Sequence, residues 1–113
     1  MDSNKEMQET YEIEITEDCR DEIREIYKYI SDNLVADNAA KRLMQKIRKN
    51  IYDLSLFPRL YTKIEKKDKR KRDFRKMVVD NYIILYTIDD SKKTVYISHM
   101  YYGRRNYLEG KRL

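Results

Sequence analysis

The chain has 113 residues and a net charge of +5, with 41% hydrophobic and 40% charged residues. That length leaves room for one domain with a thin core. No apolar run approaches the roughly 20 residues that span a bilayer, so no membrane partner is expected. One cysteine excludes an internal disulfide, and one cysteine beside one histidine excludes a protein-only zinc site. No metal or cofactor is expected. The polar, acidic start carries no signal peptide, and a cytoplasmic protein is expected. Residues 1–10 read as a polar N-terminal extension and residues 11–113 as a single domain.

Charge is unevenly spread. Residues 1–25 hold ten Asp and Glu against three Lys and Arg, a balance of −7; the remainder holds ten acidic and 22 basic residues, a balance of +12. Such asymmetry suits a protein that meets nucleic acid or an acidic partner, although a solubilising surface has the same composition.

In chain order, Tyr11 to Ile15 alternates apolar and acidic residues, which predicts a half-buried strand. Thr16 offers an N-cap, followed by Glu17 and Asp18 where a helix N-terminus favours negative charge. Ile23, Ile26, Tyr27, Ile30 and Leu34 then fall at helical spacing. Asp37 or Asn38 can cap a second helix with the stripe Ala40, Leu43, Met44, Ile47, Ile51 and Leu54. Phe57-Pro58 ends it, because proline cannot continue the hydrogen-bond ladder. Leu60 to Ile64 predicts a short strand and Lys66 to Arg72 a charged connection. Arg75–Val79, Tyr82–Ile88 and Thr94–Met100 predict strands whose short connections demand antiparallel neighbours. The fold class is therefore α+β. An N-terminal strand and a helical hairpin pack on one face of a twisted antiparallel sheet of three to four further strands. The other face is open and is where function is expected.

Eight of the eleven residues from Lys66 to Lys76 are basic. Lys66, Lys67, Lys69, Arg70, Lys71, Arg72 and Lys76 are thus candidate nucleic-acid contacts, with affinity falling steeply with salt. The alternative is a solvated loop that protects a sheet edge. Arg75, Arg104 and Arg105 form a second group, since guanidinium forks suit phosphate oxygens and charge that builds in phosphoryl transfer. Surface pairing with carboxylates such as Asp80 or Glu109 is the competing reading. Tyr101, Tyr102 and Tyr107 neighbour these arginines and are candidates for stacking on bases, whereas Tyr27, Tyr82 and Tyr86 sit at core positions. Strand alternation puts His99 on the face of Val95 and Ile97, as a buried structural histidine.

Arg75-x-x-Val-Val-x-x-Tyr82-x-x-x-Tyr86, the terminal Gly103-Arg104-Arg105-Asn106-Tyr107, and the helix from Ala39-Ala40 to Phe57-Pro58 together resemble toxins of the RelE/ParE superfamily. The resemblance covers about Tyr11 to Tyr107. It implies the toxin of a bacterial type II toxin–antitoxin module, arresting growth until a cognate antitoxin wraps it. Two targets are implied. A RelE-like member is an endoribonuclease that cuts messenger RNA on the ribosome. Arg75, Arg104 or Arg105 would then stabilise the phosphate, Tyr102 or Tyr107 would stack or donate a proton, and Lys63 or Lys76 would lie nearby. The candidate catalytic set on that reading is Arg75, Arg105 and Tyr107. A ParE-like member poisons DNA gyrase without chemistry of its own. Ile83 follows Tyr82 where the nucleases often carry arginine, and the Gly-Arg-Arg ending is more typical of ParE-like members. A non-toxic basic module that binds nucleic acid or protein is the remaining alternative.

Overall fold

A computed structural model describes residues 10–33 and 37–103. Strand β1 (Glu12–Ile15) points Ile13 and Ile15 inward and its glutamates outward, as the alternation requires. Thr16 then caps helix α1 (Glu17–Lys28): its hydroxyl accepts the Cys19 N–H at 3.2 Å and donates to the Ser98 carbonyl at 3.1 Å. One side chain thus satisfies an orphan helix donor and pins the helix to the last strand. A π-helical turn (Tyr29–Asn33) closes α1, and helix α2 (Asp37–Leu56) returns antiparallel to it. Along α2, Ala40, Leu43, Ile47 and Leu54 are buried at helical spacing. Each fully buried leucine or isoleucine stabilises the fold by roughly 1.5–3 kcal/mol.

Beyond α2 come β2 (Lys63–Lys67), β3 (Asp73–Val79), β4 (Tyr82–Asp89) and β5 (Thr94–Tyr102). They form one five-stranded sheet in the order β1-β5-β4-β3-β2. Neighbours from β2 to β5 are antiparallel, while β1 lies parallel to β5, with Ile13 beside Val95 and Ile15 beside Ile97. The sheet is therefore mixed, its antiparallel part extended by β1. The helical hairpin covers the face that carries Met77, Val79, Ile84, Tyr86, Val95, Ile97 and Met100. The opposite face bears a smaller cluster of Phe74, Ile83, Leu85 and Tyr101, with Ile64 packed on it.

Two expectations are corrected here. The strand expected at Leu60–Ile64 begins only at Lys63 and runs through Lys66 to Lys67. Upstream, the backbone is held as a turn: the Leu60 N–H donates to the Phe57 carbonyl at 3.1 Å, and the Pro58 carbonyl accepts the Tyr86 hydroxyl at 2.8 Å. His99 is the second correction. Ile97 pairs with Tyr86 but His99 pairs with Leu85, so Ser98 is an extra residue on β5. That bulge reverses the alternation. Met100 takes the core position, and His99 turns to the face of Phe74 and Tyr101. It is nonetheless buried, as expected. Among the described residues, no helix is long and apolar enough to cross a membrane.

Candidate functional site

The turn joining β2 to β3 is built around one carboxylate. Asp68 accepts the backbone N–H groups of Arg70 and Arg72, each at 2.9 Å, and the Arg72 Nε at 2.7 Å. The Asp68 N–H in turn donates to the Arg72 carbonyl at 2.9 Å, and Lys71 takes the left-handed conformation, φ 65°, that closes the loop. Burial alone would raise the Asp68 carboxyl. The hydrogen bonds from Arg72, through backbone and side chain, outweigh it and hold the group below its ordinary value. Arg72 also reaches Asp89 at 3.4 Å and lies over the Tyr96 ring, 4.6 Å from its centroid. A single arginine thus fastens the turn to the β4–β5 hairpin and to the open face of the sheet.

Beneath this turn is an open cleft of about 260 Å³. Phe74, Tyr96, Ser98 and His99 line it from the sheet, Lys69, Arg70 and Arg72 from the turn, and Thr16 and Asp18 from the start of α1. The His99 ring is stacked on Tyr101, with centroids 5.7 Å apart and planes 13° apart. Its Nδ1 lies 3.4 Å from a carboxylate oxygen of Glu22. The other oxygen of Glu22 accepts the Met100 N–H at 2.9 Å. Glu22 is buried because α1 crosses the edge of β5 just where β1 stops. Its carboxylate replaces the missing strand as the acceptor for that backbone donor.

Among the described residues, the candidates fall on different faces of the sheet. Arg75 pairs with Tyr86 across the β3–β4 ladder and shares its helix-covered face; its Nη1 donates to the Tyr61 carbonyl at 2.6 Å. It therefore holds the α2–β2 connection and does not reach the open face. Lys67 forms a salt bridge with Asp73, joined by Lys63 at 3.7 Å. These lysines, Lys67 first, hold the Asp73 carboxyl below its ordinary value. Lys66, Lys69, Arg70 and Lys71 have no carboxylate partner among the described residues. Lys76 falls one position after Arg75 and so lies on the open face. Tyr102 pairs with Tyr82 across the ladder, on the covered face, with the two rings edge to face at 5.7 Å. Arg104, Arg105 and Tyr107 lie outside the described residues. Phe74, Tyr96, Asp68 and Glu22 were not among the sequence candidates. Only Asp68, the one acid between Lys66 and Arg72, carried a signal that could have marked it.

Comparison with known proteins adds a family to this geometry. The sequence model of the family described as "ParE toxin of type II toxin-antitoxin system, parDE" matches residues 13–107. No curated protein sequence matches. Among solved structures, the fold is similar to the chromosomal ParDE toxin–antitoxin system from P. aeruginosa, with a TM-score of 0.63 and 12% identity over 80% of this chain and 94% of that one. It is also similar to the RelBE2 toxin–antitoxin complex from Mycobacterium tuberculosis, with a TM-score of 0.59 and 18% identity over 83% and 92%. A third similar structure is the archaeal RelE–RelB complex from Pyrococcus horikoshii OT3, with a TM-score of 0.51 and 12% identity over 85% and 98%.

Proposed function

This chain belongs to the ParE toxin family of type II toxin–antitoxin systems, and from that premise we propose that it arrests growth by poisoning DNA gyrase until a cognate antitoxin occupies it. The observation favouring gyrase over RNA cleavage is the position of Arg75. Its Nη1 donates to the Tyr61 carbonyl, and the strand register puts it on the face the helices cover. A cation there cannot stabilise a phosphate lying on the open face, because electrostatic stabilisation needs the donor aimed at the developing charge. An antitoxin as partner is supported by the similar structures, which are toxin–antitoxin complexes. Exposed Tyr52, Phe57 and Leu60, at and just beyond the C-terminal end of α2, offer it apolar surface. Such a toxin acts in the cytoplasm, where gyrase is found.

A second reading, ribosome-dependent cleavage of messenger RNA, is favoured by the four cations Lys66, Lys69, Arg70 and Lys71, which suit a polyanionic target. Purified chain added to gyrase and supercoiled plasmid separates the two. Trapped double-strand breaks, released as linear DNA on denaturing the enzyme, are the expected result. Intact plasmid, together with message cut in a translating extract, would replace the gyrase reading by the nuclease one.

A further inference from the structure

The cleft under the Asp68–Arg72 turn has no part in the gyrase reading. We infer that it seats one unpaired nucleotide of a nucleic-acid strand, with the base against Tyr96 and the phosphate on Lys69 and Arg70. The charge is uncompensated by construction. From Lys66 to Arg72 the chain has six basic residues and one acid. That acid, Asp68, is consumed by the turn's own N–H groups and by Arg72, while Lys67 goes to Asp73. Lys69 and Arg70 therefore meet the cleft with no carboxylate partner for their side chains among the described residues, on a turn already locked in shape. Binding then orders side chains only, not backbone.

The floor supplies the other half of the recognition. Tyr96, half-buried where Phe74 is fully buried, presents aromatic surface in the cleft, and stacking on such a ring is how unpaired bases are held without sequence readout. Arg72 already covers one side of Tyr96 and stiffens it. At about 260 Å³ the cleft is smaller than the roughly 300–1,000 Å³ of sites for drug-sized ligands, which favours a single base. Asp18 on the opposite rim repels a second phosphate, so the strand is oriented with its backbone toward the turn. A stacked duplex cannot offer a base face to this floor. Along the open face the cleft lies at the Phe74–Tyr96 end. Gly103, after which the terminal arginines follow, lies at the other end, against Asn81. The inference does not depend on which target the toxin takes, since its test uses oligonucleotides alone.

The test is fluorescence anisotropy of the full chain with labelled oligothymidylate, alone and annealed to its complement. The single strand is expected to bind about tenfold more tightly than the duplex, as a base–aromatic stack worth 1–3 kcal/mol implies. Lys69→Ala with Arg70→Ala, on an exposed turn, should lower the salt dependence (log K against log salt) by about 1.4, or about 0.7 per phosphate contact. Tyr96→Leu should weaken the single strand about tenfold and leave that slope unchanged. Equal or tighter duplex binding, full affinity in the Lys69/Arg70 variant, or full affinity in Tyr96→Leu would each overturn the inference. Oligouridylate in place of oligothymidylate then tells which kind of strand the cleft prefers.

Discussion

Asp90 shows how much one exposed residue can organise. It accepts hydrogen bonds from Arg59, at 2.5 and 3.1 Å, and from the Tyr11 hydroxyl at 2.6 Å. It thereby ties the α2–β2 connection and the start of β1 to the β4–β5 turn. Arg59 first, then Tyr11, pulls its carboxyl down to about 2. A group depressed in the folded state stabilises above its unfolded pKa of about 3.9, and that contribution is lost as pH falls toward 2. The pair is half exposed, so screening limits its worth to about 1 kcal/mol at most. Asp90→Asn should therefore lower Tm by about 4 °C at pH 7. The gap to the native chain should close in melts taken between pH 5 and pH 2. Gly103 is constrained by space, not by conformation. A Cβ there would stand 2.6 Å from the Asn81 carbonyl oxygen, backbone against backbone. Gly103→Ala is expected to cost about 1–3 kcal/mol in denaturant unfolding, and a neutral effect would refute that close approach.

At the scale of elements, periodicity revealed what repeats and missed what interrupts. Ile23, Ile26 and Tyr27, and Leu43, Ile47 and Leu54, mark two helices because one helical face is apolar in each. The strands over Tyr82–Ile88 and Thr94–Met100 were readable from their β-branched and aromatic runs. The bulge at Ser98 was not, since an extra residue leaves no compositional trace, and it moved His99 to the other face. Arg75 went astray for a related reason: its charge suggested the open face, while strand parity, which puts it with Met77 and Tyr86, assigns it to the covered one. Two variants test these placements. Glu22→Ala strips the acceptor from the buried Met100 N–H and the partner from His99, and should cost about 2–3 kcal/mol; Glu22→Gln keeps one acceptor and should cost less. Arg75→Ala removes a charge-assisted bond to Tyr61 and should lose about 1.5–3 kcal/mol in chemical denaturation. Growth arrest should survive at a temperature where the variant stays folded. Loss of arrest with an unchanged unfolding curve would return Arg75 to the site.

For the whole molecule, the mixed sheet divides the labour. One face is closed by the helical hairpin and supplies the main core, while the other carries a smaller buried cluster with the basic turn beside it. The basic run from Lys66 to Lys76 marked that turn for a polyanion in the sequence itself. It could not distinguish Lys67 and Arg72, tied to carboxylates, from Lys69 and Arg70, whose side chains have no such partner among the described residues. That difference depends on contacts across strands. The family assignment fixes a toxin, and gyrase is the target we propose for it. Pulse labelling of DNA and protein synthesis, minutes after inducing this chain without its antitoxin, bears on that choice most directly. DNA synthesis should collapse first, with protein synthesis following later. Protein synthesis collapsing first would contradict the gyrase account and assign the toxin to the ribosome.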